Sequence, residues 1–251
     1  MPGTRVLDWG GALVLLAGRS FATAFRRPPA LGDVTAQIVA IGYQSLSVVV
    51  LTAVFSGMVM VVQLGAQMAR FGAKEYVGTV VSLSLVRELG PVLTALMVGG
   101  RVGAGITAEL GSMNVTEQID AMRSMCGDPV RRLVLPRVLA GIVCLPLLTV
   151  LADLLGVVAA ILVGSIDTKL SISFFFHTVS HAVFISDVIG GLIKTIFFGF
   201  TITLIACHIG LSTRGGTEGV GRATTKTVVV TSIVTLISDF VMTKLLLSFG
   251  L

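Results

Sequence analysis

The chain has 251 residues, of which 54% are hydrophobic and 12% are charged. Soluble domains carry about 25% charged residues, so this composition excludes an ordinary soluble protein and indicates an integral membrane protein. The net charge of +5 does not indicate nucleic-acid binding, because most basic residues fall in connections between apolar segments. Cys126, Cys144 and Cys207 lack CxxC spacing, and they predict neither a disulfide framework nor a metal site.

The first 27 residues predict an amphipathic helix lying in the membrane interface, with basic side chains toward the lipid headgroups. Its polar arc holds Arg5, Asp8, Arg19, Thr23 and Arg26. Its apolar side holds Val6, Leu7, Trp9, Leu13, Val14, Phe21 and Phe25. The run Arg26-Arg27-Pro28-Pro29 would end this helix. A cleavable signal peptide is the alternative, because an apolar patch precedes Ala22-Thr23-Ala24.

Five apolar segments are long enough to cross a bilayer, which takes about 20 helical residues. They cover about 46–64, 77–99, 137–163, 188–211 and 227–249. The third belongs to a longer run, 133–164, which contains Pro136 and Pro146, so a two-leg hairpin is conceivable there. The placement of basic residues argues instead for a single crossing.

With five single crossings, twelve Lys and Arg residues fall on one side of the membrane. They lie in the N-terminal segment and in the 100–137 and 212–227 connections, whereas the other connections hold only Arg70 with Lys74, and Lys169. The positive-inside rule then places the N-terminus in the cytoplasm and the C-terminus outside. The sequence therefore predicts an all-α integral membrane protein, with a core at 28–251 that follows the interfacial helix.

Arg87 and Glu88 lie side by side in the middle of the second segment. Each charge at this depth costs roughly 2.5–3.5 kcal/mol on insertion scales. Consecutive helical residues do not face each other, so the two cannot simply neutralise one another. Gly90 and Pro91 follow and weaken the helix at the same level. One hypothesis is a site for a zwitterionic or anionic lipid headgroup, or a symmetric pair across a dimer; the other is structural pairing with other spans.

Four further charges fall inside the apolar segments. Lys194 and Lys244 are interpreted as snorkelling toward the membrane surface. Asp153 and Asp239 lie deeper, and each has either a functional role or a hydrogen-bonding role at a helix contact.

The 100–137 connection predicts a short amphipathic helix over about 115–126. Asn114 and Glu117 have the spacing of a capping box, and Gly127 is a natural C′ residue before Asp128-Pro129. The helix could lie on the membrane surface, but its dense polar side favours docking into a cytosolic motor protein. That side holds Glu117, Gln118, Asp120 and Arg123.

The sequence lacks the common motifs of nucleotide binding and of hydrolytic catalysis. No GxxxxGK[ST] run is present to cradle a nucleotide, and no HExxH or GxSxG motif indicates a hydrolase. The spacing of Gly99 and Gly103 predicts close helix contact. His177 and His181 are predicted to be interfacial residues rather than metal ligands, and no catalytic residue is predicted.

Several uncommon strings resemble the MlaE/YrbE permease family. They are Leu85-Val86-Arg87-Glu88-Leu89-Gly90-Pro91-Val92, Gly100-Arg101-Val102-Gly103, Thr107-Ala108-Glu109-Leu110-Gly111, Thr116-Glu117-Gln118, Asp128-Pro129-Val130-Arg131-Arg132 and Gly219-Val220-Gly221-Arg222-Ala223-Thr224-Thr225. The resemblance covers the chain from about residue 40, and the interfacial helix precedes it.

The resemblance implies the permease subunit of an ABC transporter in the inner membrane of a Gram-negative cell, moving phospholipids between the two membranes and maintaining outer-membrane lipid asymmetry. It implies a homodimer with two cytosolic ATPase subunits that bind ATP and Mg, a periplasmic MCE-domain protein, and in some systems a STAS-domain protein. Arg87 and Glu88 would lie beside a lipid cavity. The ATPase-docking element would include Ala121 with Glu117, Gln118, Asp120 and Arg123.

Two other classes compete with this interpretation. A stand-alone secondary transporter or channel predicts internal repeats and a midplane ion site, but five spans do not divide into equal halves and no self-similar segments are found. A membrane-bound enzyme predicts a nucleophile–base or metal constellation, which the sequence lacks.

Overall fold

The computed structural model describes residues 2–26, 29–168 and 171–248, and these residues form helices joined by short connections, without a strand. The eleven α-helices of the described chain are α1 Pro2–Arg26, α2 Leu31–Ile41, α3 Leu46–Arg70, α4 Val77–Ser84, α5 Gly90–Val98, α6 Ala104–Val115, α7 Gln118–Ser124, α8 Leu135–Thr168, α9 Ile172–Ala182, α10 Ile185–Leu211 and α11 Gly216–Ser248. Short 3₁₀ turns occur at Tyr43–Ser45 and Lys74–Tyr76.

Among the described residues, five helical stretches are long and apolar enough to cross a membrane, which confirms the predicted all-α membrane fold. They are Leu31–Arg70, Lys74–Val115, Val130–Asp167, Ile185–Leu211 and Gly216–Ser248. Most of these stretches are longer than the predicted segments because the helices continue into polar sequence at their ends. The third stretch runs as one helix through Pro146, so it makes a single crossing and not a hairpin.

Three π-helical turns interrupt the long helices, at Leu85–Leu89, Gly99–Gly103 and Val130–Val134. In the first turn, the Gly90 amide donates to the carbonyl oxygen of Leu85, five residues earlier. Such turns hold one residue more than an α-helical turn and are frequent at functional sites. The predicted weakening of the helix near Gly90 and Pro91 therefore takes the form of a wide turn that contains Arg87 and Glu88.

Residue contacts divide the chain into two units, and the long helices contribute to both. The first unit comprises the described parts of Met1–Ser45, Val98–Cys144 and Phe197–Leu236. In it, α1 contacts the turn Val130–Val134, and the rings of Phe21 and Phe200 lie 5.6 Å apart. The hydroxyl oxygens of Thr107 and Thr227 are 2.8 Å apart, which joins α6 to α11. The buried Arg137 pairs with Glu109 at 2.7 Å.

The predicted contact at Gly99 and Gly103 is found within this first unit. A Cβ atom on Gly99 would lie 3.5 Å from the hydroxyl of Thr231, and one on Gly103 would lie 3.4 Å from the methyl of Thr227. The two glycines therefore pack α6 and the preceding turn against α11 of the same chain. A contribution to a dimer interface stays a prediction.

The second unit comprises Leu46–Met97, Leu145–Ile196 and the described part of Ile237–Leu251. Its apolar core is formed by Val61, Val77, Val81, Leu85, Ala160, Ile161 and Phe175. Phe175 belongs to α9, which packs on α4. The N-terminus of α9 is capped by Ser171, whose hydroxyl accepts a hydrogen bond from the Phe174 amide at 3.2 Å.

Backbone-to-backbone contact joins α3 to α8 in the second unit. A Cβ atom added to Gly57 would lie 2.2 Å from the carbonyl oxygen of Gly156, closer than any side chain can approach. Small residues allow membrane helices to approach this closely, and the packing itself supplies the attraction. Gly57 is therefore required by the helix crossing.

We expect Gly57→Ala to lower both the membrane abundance and the melting temperature of the protein, because the added methyl group must push two backbones apart. Overpacking of this kind costs about 1–3 kcal/mol. Gly105→Ala is the matched control, since Gly105 is also helical but has no atom within 4 Å of the added methyl group. Equal abundance and melting of the two variants would contradict the assigned contact.

Candidate functional site

Arg87 pairs with an aspartate that lies 100 residues further along the chain. Its Nε atom donates to Oδ1 of Asp187 at 2.6 Å, and its Nη2 atom contacts the same oxygen. The other carboxylate oxygen, Oδ2, accepts a hydrogen bond from the Phe184 amide at 2.9 Å, which fixes Asp187 at the start of α10. The Asp187 side chain is 1% exposed and that of Arg87 is 43% exposed. One edge of the guanidinium is therefore held, and the remainder is accessible.

Glu88 pairs with Lys194 of α10. The Lys194 ammonium donates to Oε2 of Glu88 at 2.8 Å, to the Thr243 hydroxyl at 2.7 Å and to the carbonyl oxygen of Arg87 at 3.1 Å. Asp239 lies 3.4 Å from the same nitrogen. In a helix the carbonyl of Arg87 would accept from the amide of residue 91, but Pro91 has no amide hydrogen. Lys194 supplies the missing donor, and its three N–H bonds are all used.

These side chains form one polar cluster in the second unit. We define it as Arg87, Glu88, Asp187, Lys194, Asp239 and Thr243. It contains two basic and three acidic groups, so its formal charge is negative. An adjoining cavity of about 30 Å³ reaches Ser186 and Gly190. This volume suits water molecules rather than a lipid headgroup. A larger ligand would have to contact the accessible faces of Arg87 and Glu88.

The interpretation of Lys194 as a snorkelling residue is wrong. Its side chain is only 3% exposed and is held by acceptors inside the unit. Lys244, in contrast, is exposed. Asp239 joins the polar cluster, whereas Asp153 does not line its cavity. Sequence reasoning missed Asp187, although a carboxylate in the first turn of an apolar helix was an available signal.

The short helix of the 100–137 connection is α7, and its beginning differs from the predicted capping box. Asn114 belongs to α6, and its Nδ2 atom donates to the carbonyl oxygen of Thr213 at 2.9 Å. Glu117 adopts a left-handed backbone conformation with φ of 59° and makes no side-chain cap. The capping-box prediction is therefore wrong, because α6 continues through the expected cap position and the chain turns at Glu117.

The end of α7 also differs from the prediction by one residue. The left-handed residue is Cys126, with φ of 58°, and not Gly127. The Cys126 amide donates to the carbonyl of Arg123 at 3.0 Å, and the Gly127 amide donates to that of Met122 at 2.9 Å. These two bonds define a Schellman motif with Cys126 at C′. Glycine is still favoured at residue 127, since a Cβ atom there would lie 2.9 Å from the backbone carbonyl oxygen of Met122.

All five residues predicted to dock an ATPase are exposed on or beside α7. They are Glu117, Gln118, Asp120, Ala121 and Arg123. Ile119 is fully buried and anchors the helix to the first unit. Arg123 donates to Asp120 at 2.9 Å, so these two charges are partly neutralised within the helix. The arrangement presents a small polar surface on a fixed helix.

The described residues contain no group of three or more His, Cys, Asp or Glu side chains that could hold a metal ion. His177 and His181 stack on α9 with ring centroids 4.2 Å apart. Cys126 is exposed, Cys144 and Cys207 are buried, and all three are free thiols.

Five helical stretches that can cross a membrane, with a charged cluster in the second unit, define a polytopic membrane protein within the described residues. The sequence model of the family described as Permease MlaE matches residues 34–245, and the chain belongs to that family. The resemblance noted in the sequence is thereby confirmed.

Relatives of the chain support this assignment over most of its length. It is 43% identical over 235 residues to a Rickettsia felis protein named probable ABC transporter permease protein, covering 94% of this chain and 91% of that protein. It is 36% identical over 253 residues to the Haemophilus influenzae intermembrane phospholipid transport system permease protein MlaE, covering 99% and 97%. It is also 36% identical over 203 residues to the Arabidopsis thaliana protein TRIGALACTOSYLDIACYLGLYCEROL 1, chloroplastic, covering 81% and 58%.

Proposed function

We propose that the chain is the membrane subunit of an ABC transporter that moves phospholipids between the inner and outer membranes and so maintains outer-membrane lipid asymmetry. The observation that carries this proposal is the polar cluster, in which Arg87 and Glu88 are held from one side and accessible from the other. Similarity to the Haemophilus influenzae phospholipid permease over nearly the whole of both chains supports it.

The cluster can meet both charges of a zwitterionic headgroup. Arg87 has five N–H donors, and those not engaged with Asp187 can bind phosphate oxygens in a bidentate manner. Glu88 is 41% exposed, and its Oε1 atom accepts a hydrogen bond from the Thr243 hydroxyl at 3.3 Å. That oxygen can accept a hydrogen bond from the ammonium of a lipid such as phosphatidylethanolamine. The pairing of both residues within the chain means that the lipid adds to an existing network.

The proposal includes the rest of the transporter. The chain would be a non-catalytic homodimer in the inner membrane, with a cytoplasmic N-terminus and a periplasmic C-terminus. Two cytosolic ATPase subunits would bind ATP and Mg, a periplasmic MCE-domain protein would receive or deliver lipid, and a STAS-domain protein would bind the ATPase in some systems. The five exposed residues of α7 are the proposed ATPase-docking surface.

The backbone at Glu117 supports a docking role for α7. A left-handed conformation costs a non-glycine residue roughly 1–2 kcal/mol. Strain of this size persists only where the surroundings hold it in place, and it clusters at functional sites. Here it turns the chain sharply between α6 and α7 and exposes the Glu117 side chain beside Gln118.

We expect Glu117→Lys to release the ATPase and to abolish lipid-stimulated ATP hydrolysis, because it reverses a charge of the docking surface at the turn into α7. Co-purification of the ATPase and its turnover in proteoliposomes measure the effect. Glu75→Lys is the matched control, since Glu75 is exposed on the connection between α3 and α4 and should leave both readouts unchanged. Unchanged binding and turnover in Glu117→Lys would refute the docking role. Lipid movement by the purified chain without any ATPase would favour a secondary transporter instead.

A further inference from the structure

Asp153, in the middle of α8, is a carboxylate that the proposed function does not use. Its Oδ1 atom is buried and has no hydrogen-bond partner among the described residues. Burying an ionised carboxylate without a partner is far more costly than leaving it in water, so such groups are paired or neutralised. The burial of Asp153 therefore has to be explained by a partner for its Oδ1 atom that the described residues do not provide.

Gly90 provides the space into which this carboxylate points. A Cβ atom on Gly90 would lie 1.7 Å from Oδ1 of Asp153, so no other residue fits opposite it. The carboxylate is thus directed at the start of α5, immediately after the wide turn Leu85–Leu89. It lies in the second unit but outside the cavity of the polar cluster.

A separate cavity adjoins Asp153, and three of the residues that line it carry hydroxyl groups. Thr52 and Ser56 come from α3 and Thr94 comes from α5, while Gly90 and apolar side chains complete the wall. Asp153 is the only charged residue among those that line it, including Leu85 of the wide turn and Ala152 of α8. The volume is about 10 Å³, which leaves room for a single occupant of the size of a water molecule.

The Thr52 hydroxyl is placed to accept rather than to donate a further hydrogen bond. The Thr52 hydroxyl already gives its hydrogen to the carbonyl oxygen of Val48 at 2.8 Å, so only its lone pairs remain available. Ser56 and Thr94 can turn their hydroxyl oxygens toward the same space. A carboxylate with hydroxyl oxygens is a hard ligand set, which favours a small hard cation over an anion or a soft metal.

We propose that Asp153 with Thr52, Ser56 and Thr94 forms a binding site for one small monovalent cation. The cation neutralises the carboxylate at membrane depth and bridges α3, α5 and α8 within the second unit. The bound cation is either a sodium ion or a proton, because the cavity of about 10 Å³ is too small for an organic ammonium. The inference is independent of the lipid site, since it involves none of the residues of the polar cluster.

The test measures the melting of the purified full-length protein in sodium chloride and in choline chloride at equal ionic strength, over a pH series. We expect sodium to raise the melting temperature in a saturable manner, because a ligand that binds only the folded state stabilises it. Asp153→Asn should abolish this response. Glu75→Gln, which changes an exposed carboxylate, should retain it.

Two cavity variants keep the test informative even if Asp153→Asn folds poorly. Ser56→Ala and Thr94→Ala each remove one ligand oxygen, and each should raise the half-saturating sodium concentration by about tenfold. If the wild type instead ignores sodium, but its melting depends on pH and Asp153→Asn removes that dependence, the bound cation is a proton. A wild type that responds to neither ion would show that the cavity holds water and would overturn the proposal. A sodium response that persists unchanged in Asp153→Asn, Ser56→Ala and Thr94→Ala would also overturn it.

Discussion

Lys194→Met is expected to deplete the protein from the membrane and to lower its melting temperature by more than any other single substitution considered. Methionine keeps the length and the apolar stem of the side chain but removes the charge that holds Glu88 and Asp239. Breaking a buried ion pair by removing one partner costs about 3–5 kcal/mol. That is a large fraction of the 5–15 kcal/mol typical of a folded protein. Quantitative immunoblotting of membrane fractions and thermal melting in detergent measure the loss.

The exposed Lys244 offers a matched control, and Lys244→Met should keep wild-type abundance. A second variant distinguishes the loss of the charge from the loss of packing. In the Lys194→Met background, Glu88→Gln removes a carboxylate that has lost its partner, so part of the stability should return. Equal behaviour of Lys194→Met and Lys244→Met would show that the polar cluster does not stabilise the fold.

Neutralising Glu88 or Arg87 is expected to stop lipid transport while leaving the protein in the membrane. Glu88→Gln keeps an oxygen that can accept from Lys194, so the fold persists, but it loses the charge proposed to bind a lipid ammonium. Arg87 is best neutralised together with its partner, as Arg87→Gln with Asp187→Asn, because Asp187 is buried and would otherwise remain unpaired. We expect at least about a tenfold loss of transport in each case, as for a charged hydrogen bond worth 1.5–3 kcal/mol.

Membrane abundance and outer-membrane lipid integrity, measured side by side, separate the two roles of the cluster. Glu218→Gln serves as the control, because Glu218 is exposed near the start of α11 and pairs with the exposed Arg222. Normal abundance with lost integrity supports a lipid site. Low membrane abundance of these variants, and of Arg87→Ala and Glu88→Ala, would favour a packing role for the cluster. Normal abundance with full transport, both in Glu88→Gln and in Arg87→Gln with Asp187→Asn, would refute the lipid site.

The spans could be predicted from the sequence because the thickness of the bilayer sets the length and the apolar character of a membrane-spanning helix. A helix must present about 20 apolar residues, and basic residues collect on one side, so segment lengths and connection charges were sufficient. The single crossing at Pro146 followed from the same charges. Within a membrane helix, proline is tolerated because neighbouring groups satisfy the freed carbonyl.

The partners of Arg87 and Glu88 could not be predicted, because local periodicity carries no information on which helices pack together. The snorkelling interpretation of Lys194 considered its position along one helix and not the acidic groups on its neighbours. The capping box failed for a related reason. The side chain of Asn114 is taken by the backbone of Thr213, a residue 99 positions away.

The wide turn at Gly99–Gly103 has a consequence for the orientation of the helix beyond it. Because one extra residue is accommodated without an extra turn, each residue that follows is rotated by about 100° from the face it would occupy in an uninterrupted α-helix. Thr107 meets Thr227 only in this rotated setting. Deleting one residue from 99–103 would leave the span long enough to cross the bilayer and would return this turn to α-helical geometry, so Thr107 would still face Thr227. In a family alignment, a one-residue gap at this place therefore marks the loss of the wide turn, not a helix that faces a different neighbour.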